Sequence, residues 1–259
     1  MEEKTEDRGE WLPAQVRAVR ERMDAAARAA GRDPGEIVLL AATKYADADQ
    51  ITRLYTQCGV TDFGENRVQQ FLEKWDRLPA GIRMHFIGTL QTNKVRYIVD
   101  KVCMIHSVDS VALAREIDKQ AGKIGKRMDI LVEINCAREP SKGGILPEDA
   151  AAFCSEIVRF PHLCLRGFMT MAPKGAGEAD YRKYFGETFA LGLDIWHKTL
   201  HNIDGAVFSM GMSDSFEAAI AEGATLVRVG SALFRAPSEV AENGIYGKNQ
   251  GTNINGGSV

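Results

Sequence analysis

The sequence contains no long hydrophobic run: none of its apolar stretches approaches the ~18 residues that a membrane helix requires. It has almost no surplus of either charge. Its 32 Lys and Arg face 35 Asp and Glu, for a net charge of −3. A protein that grips a nucleic-acid backbone carries a clustered basic excess, so no nucleic-acid partner is expected. The opening MEEKTEDRGE has neither the apolar core of a secretory signal nor the Arg-rich, acid-poor make-up of a transit peptide. Cysteine is sparse, at five residues. Cys58, Cys103, Cys136, Cys154 and Cys164 form no CxxC and mostly sit within apolar stretches. That points to reduced, buried thiols in a cytoplasmic protein. Familiar catalytic motifs are missing too. No GxGxxG follows the first apolar run, and no GxSxG elbow is present. His197 and His201 lie one helical turn apart but lack the glutamate of HExxH. Dinucleotide binding, serine hydrolysis and zinc proteolysis therefore lose their usual signatures, and no metal is expected.

What is present is an ordinary folding composition, with 45% apolar and 26% charged residues. Residues 1–9 are charged and unpatterned, and 236–259 are rich in Gly and Asn. They are expected to form a flexible arm and a disordered tail. No linker interrupts residues 10–235, so one domain is expected there.

Within that domain, short apolar runs alternate with longer amphipathic ones. A first helix is predicted over 12–30. Strands are predicted over 37–43, 60–64, 84–88, 102–108, 129–135, 163–171, 206–211 and 225–230. Helices are predicted near 47–57, 66–77, 91–99, 109–124, 147–158, 178–200 and 214–221. Near-continuous apolar strands suit a parallel sheet buried on both faces. Eight strands with helical spacers predict a single-domain α/β fold, a (β/α)8 TIM barrel with an extra N-terminal helix. A doubly wound open sheet is the alternative.

Chemistry in such folds collects at the carboxyl ends of the strands. Lys44 follows the first strand. There it could be a desolvated amine able to condense with a carbonyl, or an ordinary solvated strand-end lysine. SMGMSDSFEAAI (209–220) reads as strand, Gly-containing turn and helix start. Asp214 with Glu217 could form a capping box there, or Ser213 or Ser215 could be the cap. The turn's N–H groups, the Ser213 hydroxyl and the glycines after the eighth strand could face a phosphate, or Gly211 and Gly230 could simply make tight turns. Arg228 lies between Val227 and Val229 in a strand expected to be buried, so it needs a partner: Glu133 or a ligand acceptor.

Seven motifs then occur in an order that resembles the YggS/PROSC family of pyridoxal 5′-phosphate (PLP) homeostasis proteins. They are Lys44 after its apolar strand, FGENRVQ (63–69), HFIGTLQTNK (85–94), the IN of LVEIN with SKGGI (141–145), GFMTMAP (167–173), SMGMS (209–213) and VRVGSALF (227–234). The resemblance implies a PLP-binding barrel of the alanine-racemase type. In it Lys44 forms the internal aldimine, and Ser213, Gly230 and Ser231 bind the phosphate, helped by the backbone of Met210, Gly211 and Met212. The resemblance sets Arg228 against the pyridine nitrogen and makes Asn66, His85 and Met169 pocket residues. Two positions depart from the family pattern: Ser215 stands where an Asp is usual, and Arg235 where a Gly is usual.

An arginine cannot protonate the ring nitrogen, which weakens the cofactor as an electron sink. Too few residues follow 235 for the second domain that supplies the opposing acid–base group in racemases. The expectation is thus a monomeric, cytoplasmic carrier in vitamin B6 homeostasis, with PLP-dependent apoenzymes as recipients and at most weak racemase-like activity. An amino-acid racemase of narrow scope and a cofactor-free sugar-phosphate enzyme are the alternatives.

Overall fold

The computed structural model describes residues 11–140, 142–199 and 205–235. The expected arm at 1–9, Ser141 of the SKGGI motif, His201 and the expected tail at 236–259 lie outside the described residues. Eight parallel strands close into one barrel in chain order. They are β1 (Val38–Ala42), β2 (Asp62–Glu65), β3 (Arg83–Phe86), β4 (Met104–Val108), β5 (Met128–Ile134), β6 (Leu163–Thr170), β7 (Val207–Ser209) and β8 (Leu226–Val229). Closure is made by β1, which pairs with both β2 and β8.

Among the described residues, eight α-helices surround the strands: α1 (Leu12–Ala29), α2 (Ala48–Cys58), α3 (Val68–Trp75), α4 (Val111–Lys123), α5 (Ala150–Ile157), α6 (Glu178–Thr199), α7 (Phe216–Ala221) and α8 (Ser231–Phe234). The extra N-terminal helix, α1, buries Leu12, Val16, Val19, Met23 and Ala27, a spacing of three and four that lays them on one face. Pro13 sits in its first turn and Gly31 takes φ 69° just beyond its end. Between β3 and β4 the α-helix expected over 91–99 is instead a 3₁₀ segment, Thr92–Tyr97. Its N–H groups reach back three residues, as from Lys94 to Gln91 and from Ile98 to Val95, and this tighter turn suits a short connector.

Most of the hydrophobic core lies between the strands and the helices, so successive strand residues alternate between two environments. In β1, Leu39 and Ala41 join this outer layer while Leu40 faces the barrel interior with Ile87 and Leu226. A second small interior cluster joins Met104, Leu131 and Met169. Polar side chains share the interior: His85, His106, Ser209 and Arg228 are all at most 4% exposed.

Candidate functional site

Three of the expected features meet at the carboxyl ends of β1, β7 and β8. Ala41 of β1 lies in register with Val229, and a methyl group on Gly230 would come within 3.2 Å of the Ala42 carbonyl oxygen. The backbone after β8 therefore abuts the strand end that leads into Lys44. The turn after β7 is tied to the same place by the Arg228 N–H, which donates to the Gly211 carbonyl at 3.1 Å. Gly211 takes φ 86°, and a Cβ there would lie 2.6 Å from Ala219 Cβ and 2.8 Å from Phe216 Cα. Only glycine suits that turn.

Ser213 links the two loops. Its Oγ accepts from the Gly230 N–H at 3.3 Å and the Ala232 N–H at 3.2 Å, at the start of α8. The N–H groups of Ser213, Asp214 and Ser231 donate to no acceptor among the described residues. Such a concentration of N–H donors fits an anionic, phosphate-like group. The expected capping box of Asp214 and Glu217 does not form. Ser215 is the N-cap of α7, its hydroxyl accepts from the Met212 N–H at 3.1 Å, and Glu217 pairs with Arg22 of α1.

Lys44 lies on the turn after β1, half-buried, with its Nζ 4.8 Å from the ring centroid of the exposed Tyr45. By hydrogen bonding and by charge, the Lys44 ammonium draws the Tyr45 phenol below its ordinary value. The residue before Lys44 is clamped from behind. Glu65 Oε1 accepts from the Thr43 hydroxyl at 2.7 Å and from Lys74 Nζ at 2.6 Å, and Lys74 also donates to the Thr43 carbonyl at 2.9 Å. Position in the sequence did not single out this clamp. The Glu65–Lys74 spacing of nine residues has no helical or strand rationale until β2 and α3 pack together.

Arg228 is buried, yet no carboxylate pairs with it among the described residues. Nη1 donates to the carbonyl and hydroxyl of Ser209 at 2.5 and 2.6 Å, and Nη2 donates to the Thr170 carbonyl at 2.9 Å. Glu133 acts on it only through charge. Burial lowers Arg228 to about 10, with Glu133 opposing, so the guanidinium stays cationic near neutrality. Three of its five N–H groups are used, which leaves Nε–H and one Nη2–H for a ligand acceptor. Glu133 itself is raised to about 7, first by burial and then by Asp109, with Arg228 opposing.

Residues 15–237 match the family of the alanine racemase N-terminal domain. A pyridoxal phosphate homeostasis protein from Aquifex aeolicus is 41% identical over 217 residues, 83% of this chain and 94% of that protein. Its counterpart from Pseudomonas aeruginosa is 37% identical over 222 residues, 85% and 94% of the two chains. The chain belongs to the YggS/PROSC family of pyridoxal phosphate homeostasis proteins. A family structure from Synechococcus elongatus, PipY with PLP bound, superposes with a TM-score of 0.75 at 30% identity, covering 86% of this chain and 100% of that one. An alanine racemase from Clostridium difficile shares the fold alone, with a TM-score of 0.65 at 16% identity.

The other positions carried over from the YggS/PROSC motifs divide by depth. Asn66 is half-buried at the mouth, where the Gly88 backbone packs on its carbonyl so closely that a Cβ would stand 2.2 Å away. Gly230 and Ser231 are half-buried, Met210 is buried, and Met212 is exposed on the turn. Met169 lies inside the barrel against Met104 and Leu131. His85 is also interior, with both ring nitrogens engaged: Nε2 with Asp62 Oδ1 at 2.9 Å and Nδ1 with His106 Nε2 at 2.9 Å. His106 and Ser209 were not singled out as site residues. They stand 103 positions apart and meet at 3.0 Å only across the closed barrel. All five cysteines are free. Two are buried and three half-buried, and burial raises Cys103 to about 11 and Cys154 to about 12.

Proposed function

We propose that this protein binds PLP at the carboxyl-terminal mouth of the barrel and acts as a cofactor carrier in vitamin B6 homeostasis. The convergence of Lys44, the Ser213–Gly230–Ala232 loop pair and the buried Arg228 cation at that mouth carries the reading. The relatives named for PLP homeostasis and the PLP-bound PipY support it. When bound, the cofactor supplies an aldehyde that condenses reversibly with a primary amine and a phosphate that seeks N–H donors.

In this reading Lys44 is the attachment amine. Ser213, Gly230 and Ser231 hold the phosphate, with the backbone of Met210, Gly211 and Met212 shaping the turn, and Asn66 lines the mouth. Arg228 turns its free N–H groups to the ring nitrogen. A cation in that place donates a hydrogen bond but keeps its proton, so the ring nitrogen remains an acceptor. This favours holding and releasing the cofactor over turnover at Cα. The carrier works in the cytoplasm, as a monomer, and passes the cofactor to PLP-dependent apoenzymes. Among the described residues no helix is long and apolar enough to cross a membrane.

Mass spectrometry after incubation with PLP and borohydride tests the proposal. The peptide carrying Lys44 is expected to gain one pyridoxyl mass, and Lys44→Ala should lose it. No adduct, or one confined to another lysine, would overturn it.

A further inference from the structure

A continuous line of buried polar side chains crosses the barrel interior beneath the proposed site. It starts at Asp62, the first residue of β2. The Asp62 carboxylate borders a cavity of ≈ 310 Å³ at the amino-terminal end of the barrel and accepts from Arg83 Nε at 3.0 Å and Thr61 Oγ1 at 2.7 Å. The line continues through His85 and His106, whose rings stand edge to face at 84°, to Ser209 at the end of β7 and then to the guanidinium of Arg228, which extends from β8 to Ser209 and to Thr170 at the end of β6.

We infer that Asp62, His85, His106, Ser209 and Arg228 form a one-directional hydrogen-bond chain in which both imidazoles are neutral, so that His85 and His106 are positioning residues for the Arg228 guanidinium. In its bearing on the cofactor this rests on the function proposed above. The direction follows link by link from donor and acceptor capacity. An ionised carboxylate only accepts, so His85 Nε2 carries the hydrogen facing Asp62. In a neutral His85, Nδ1 is then bare, and His106 Nε2 must donate to it. His106 Nδ1 is bare in turn and accepts the Ser209 hydroxyl hydrogen. The Ser209 oxygen keeps its lone pairs for Arg228 Nη1. Every group is satisfied in this single arrangement.

A second proton would reverse it. His106 would then point an N–H at Ser209 Oγ beside the Arg228 N–H, and the hydroxyl hydrogen would have no acceptor among the described residues. Two observations bear on the ends of the chain. Burial above all holds His106 well below its ordinary range, and the Arg228 guanidinium adds to it. Burial pushes Asp62 upward, but hydrogen bonds from His85 and Thr61 bring it down to about 2. A hydroxyl locked in one direction gives Arg228 one place to rest.

Nitrogen-15 NMR of the imidazoles in the ligand-free wild-type protein tests the chain without any variant. Both rings are expected as the Nε2–H tautomer at neutral pH; a doubly protonated ring or an Nδ1–H tautomer in either position would overturn it. PLP titrations read the positioning role. His106→Phe, checked for folding by circular dichroism, is expected to raise the dissociation constant roughly 5- to 20-fold and to shift the long-wavelength absorbance band. His106→Asn, which returns an acceptor near the Nδ1 place, should restore most of both. In a Ser209→Ala background the further effect of His106→Phe should vanish. A folded His106→Phe protein with unchanged spectrum and affinity, or an undiminished effect in the Ser209→Ala background, would overturn the positioning role. Wild-type protein that takes up no PLP would sink the functional proposal instead, and the tautomers would still decide the chain.

Discussion

Ser213 shows how one side chain can serve two loops. Its oxygen accepts from the N–H groups of Gly230 and Ala232, so it joins the β7 turn to the start of α8 before any ligand is considered. Ser213→Ala removes that shared acceptor and one contact to an anion. The PLP dissociation constant is expected to rise by about 1–2 kcal/mol equivalent, the scale of a hydrogen bond to a charged group. An unchanged constant in an equilibrium titration would argue against the phosphate role. Ser213, Lys44 and Arg228 could be singled out as candidates from the sequence, because each is a polar residue within or just after an apolar strand, where it invites explanation. His106 and Ser209 could not. A histidine in MIHSV and a serine in VFS are unremarkable until closure sets them 3.0 Å apart.

Among the elements, α2 and the turn after β7 govern how rigidly the mouth is built. Helix α2 begins three residues after Tyr45, and Asp47 and Gln50 form a full capping box, with bonds of 2.8 and 3.1 Å. Asp47→Ala is expected to cost about 1 kcal/mol in denaturant unfolding and to loosen the Lys44 turn it anchors. The box foreseen at Asp214 and Glu217 is absent because Ser215 turns its hydroxyl back to Met212 and Glu217 reaches Arg22. Local spacing permits a cap, but neighbouring partners decide which residue makes it. Gly211→Ala combines a φ of 86° with contacts under 3 Å to Ala219 and Phe216. It should destabilise the protein by about 2–3 kcal/mol. A thermal midpoint equal to wild type would show that the turn relaxes without loss.

For the molecule as a whole, the barrel interior couples charge to stability. Burial raises the Glu133 carboxyl from its ordinary 4.5 to about 7 in the fold. Between those values the folded protein holds a proton that the unfolded chain releases. This contribution is full below pH 4.5 and is lost as the pH rises through 7. Glu133→Gln keeps the shape and removes the charge. It should stabilise the ligand-free protein by about 1–3 kcal/mol at pH 8 and change little at pH 5. Thermal denaturation at the two pH values checks this, and an equal shift at both would count against it.

The alternation of eight strands with helices could be read directly from the chain, and it favoured a barrel over an open sheet, because burial on both faces leaves apolar runs and burial on one face leaves a helical period. Only the folded form decided what the interior polar groups do. The register of β4 on β5 passes from Ile105↔Ile130 to Val108↔Val132, so His106 and Ser107 both stand opposite Leu131. That bulge, together with closure of β1 on β8, brings His106 of β4 to Ser209 of β7 and sends Arg228 to Ser209 and Thr170 rather than to Glu133. Pattern along a chain reports the environment of each residue, whereas its partner across the barrel depends on distances that exist only once the sheet has closed.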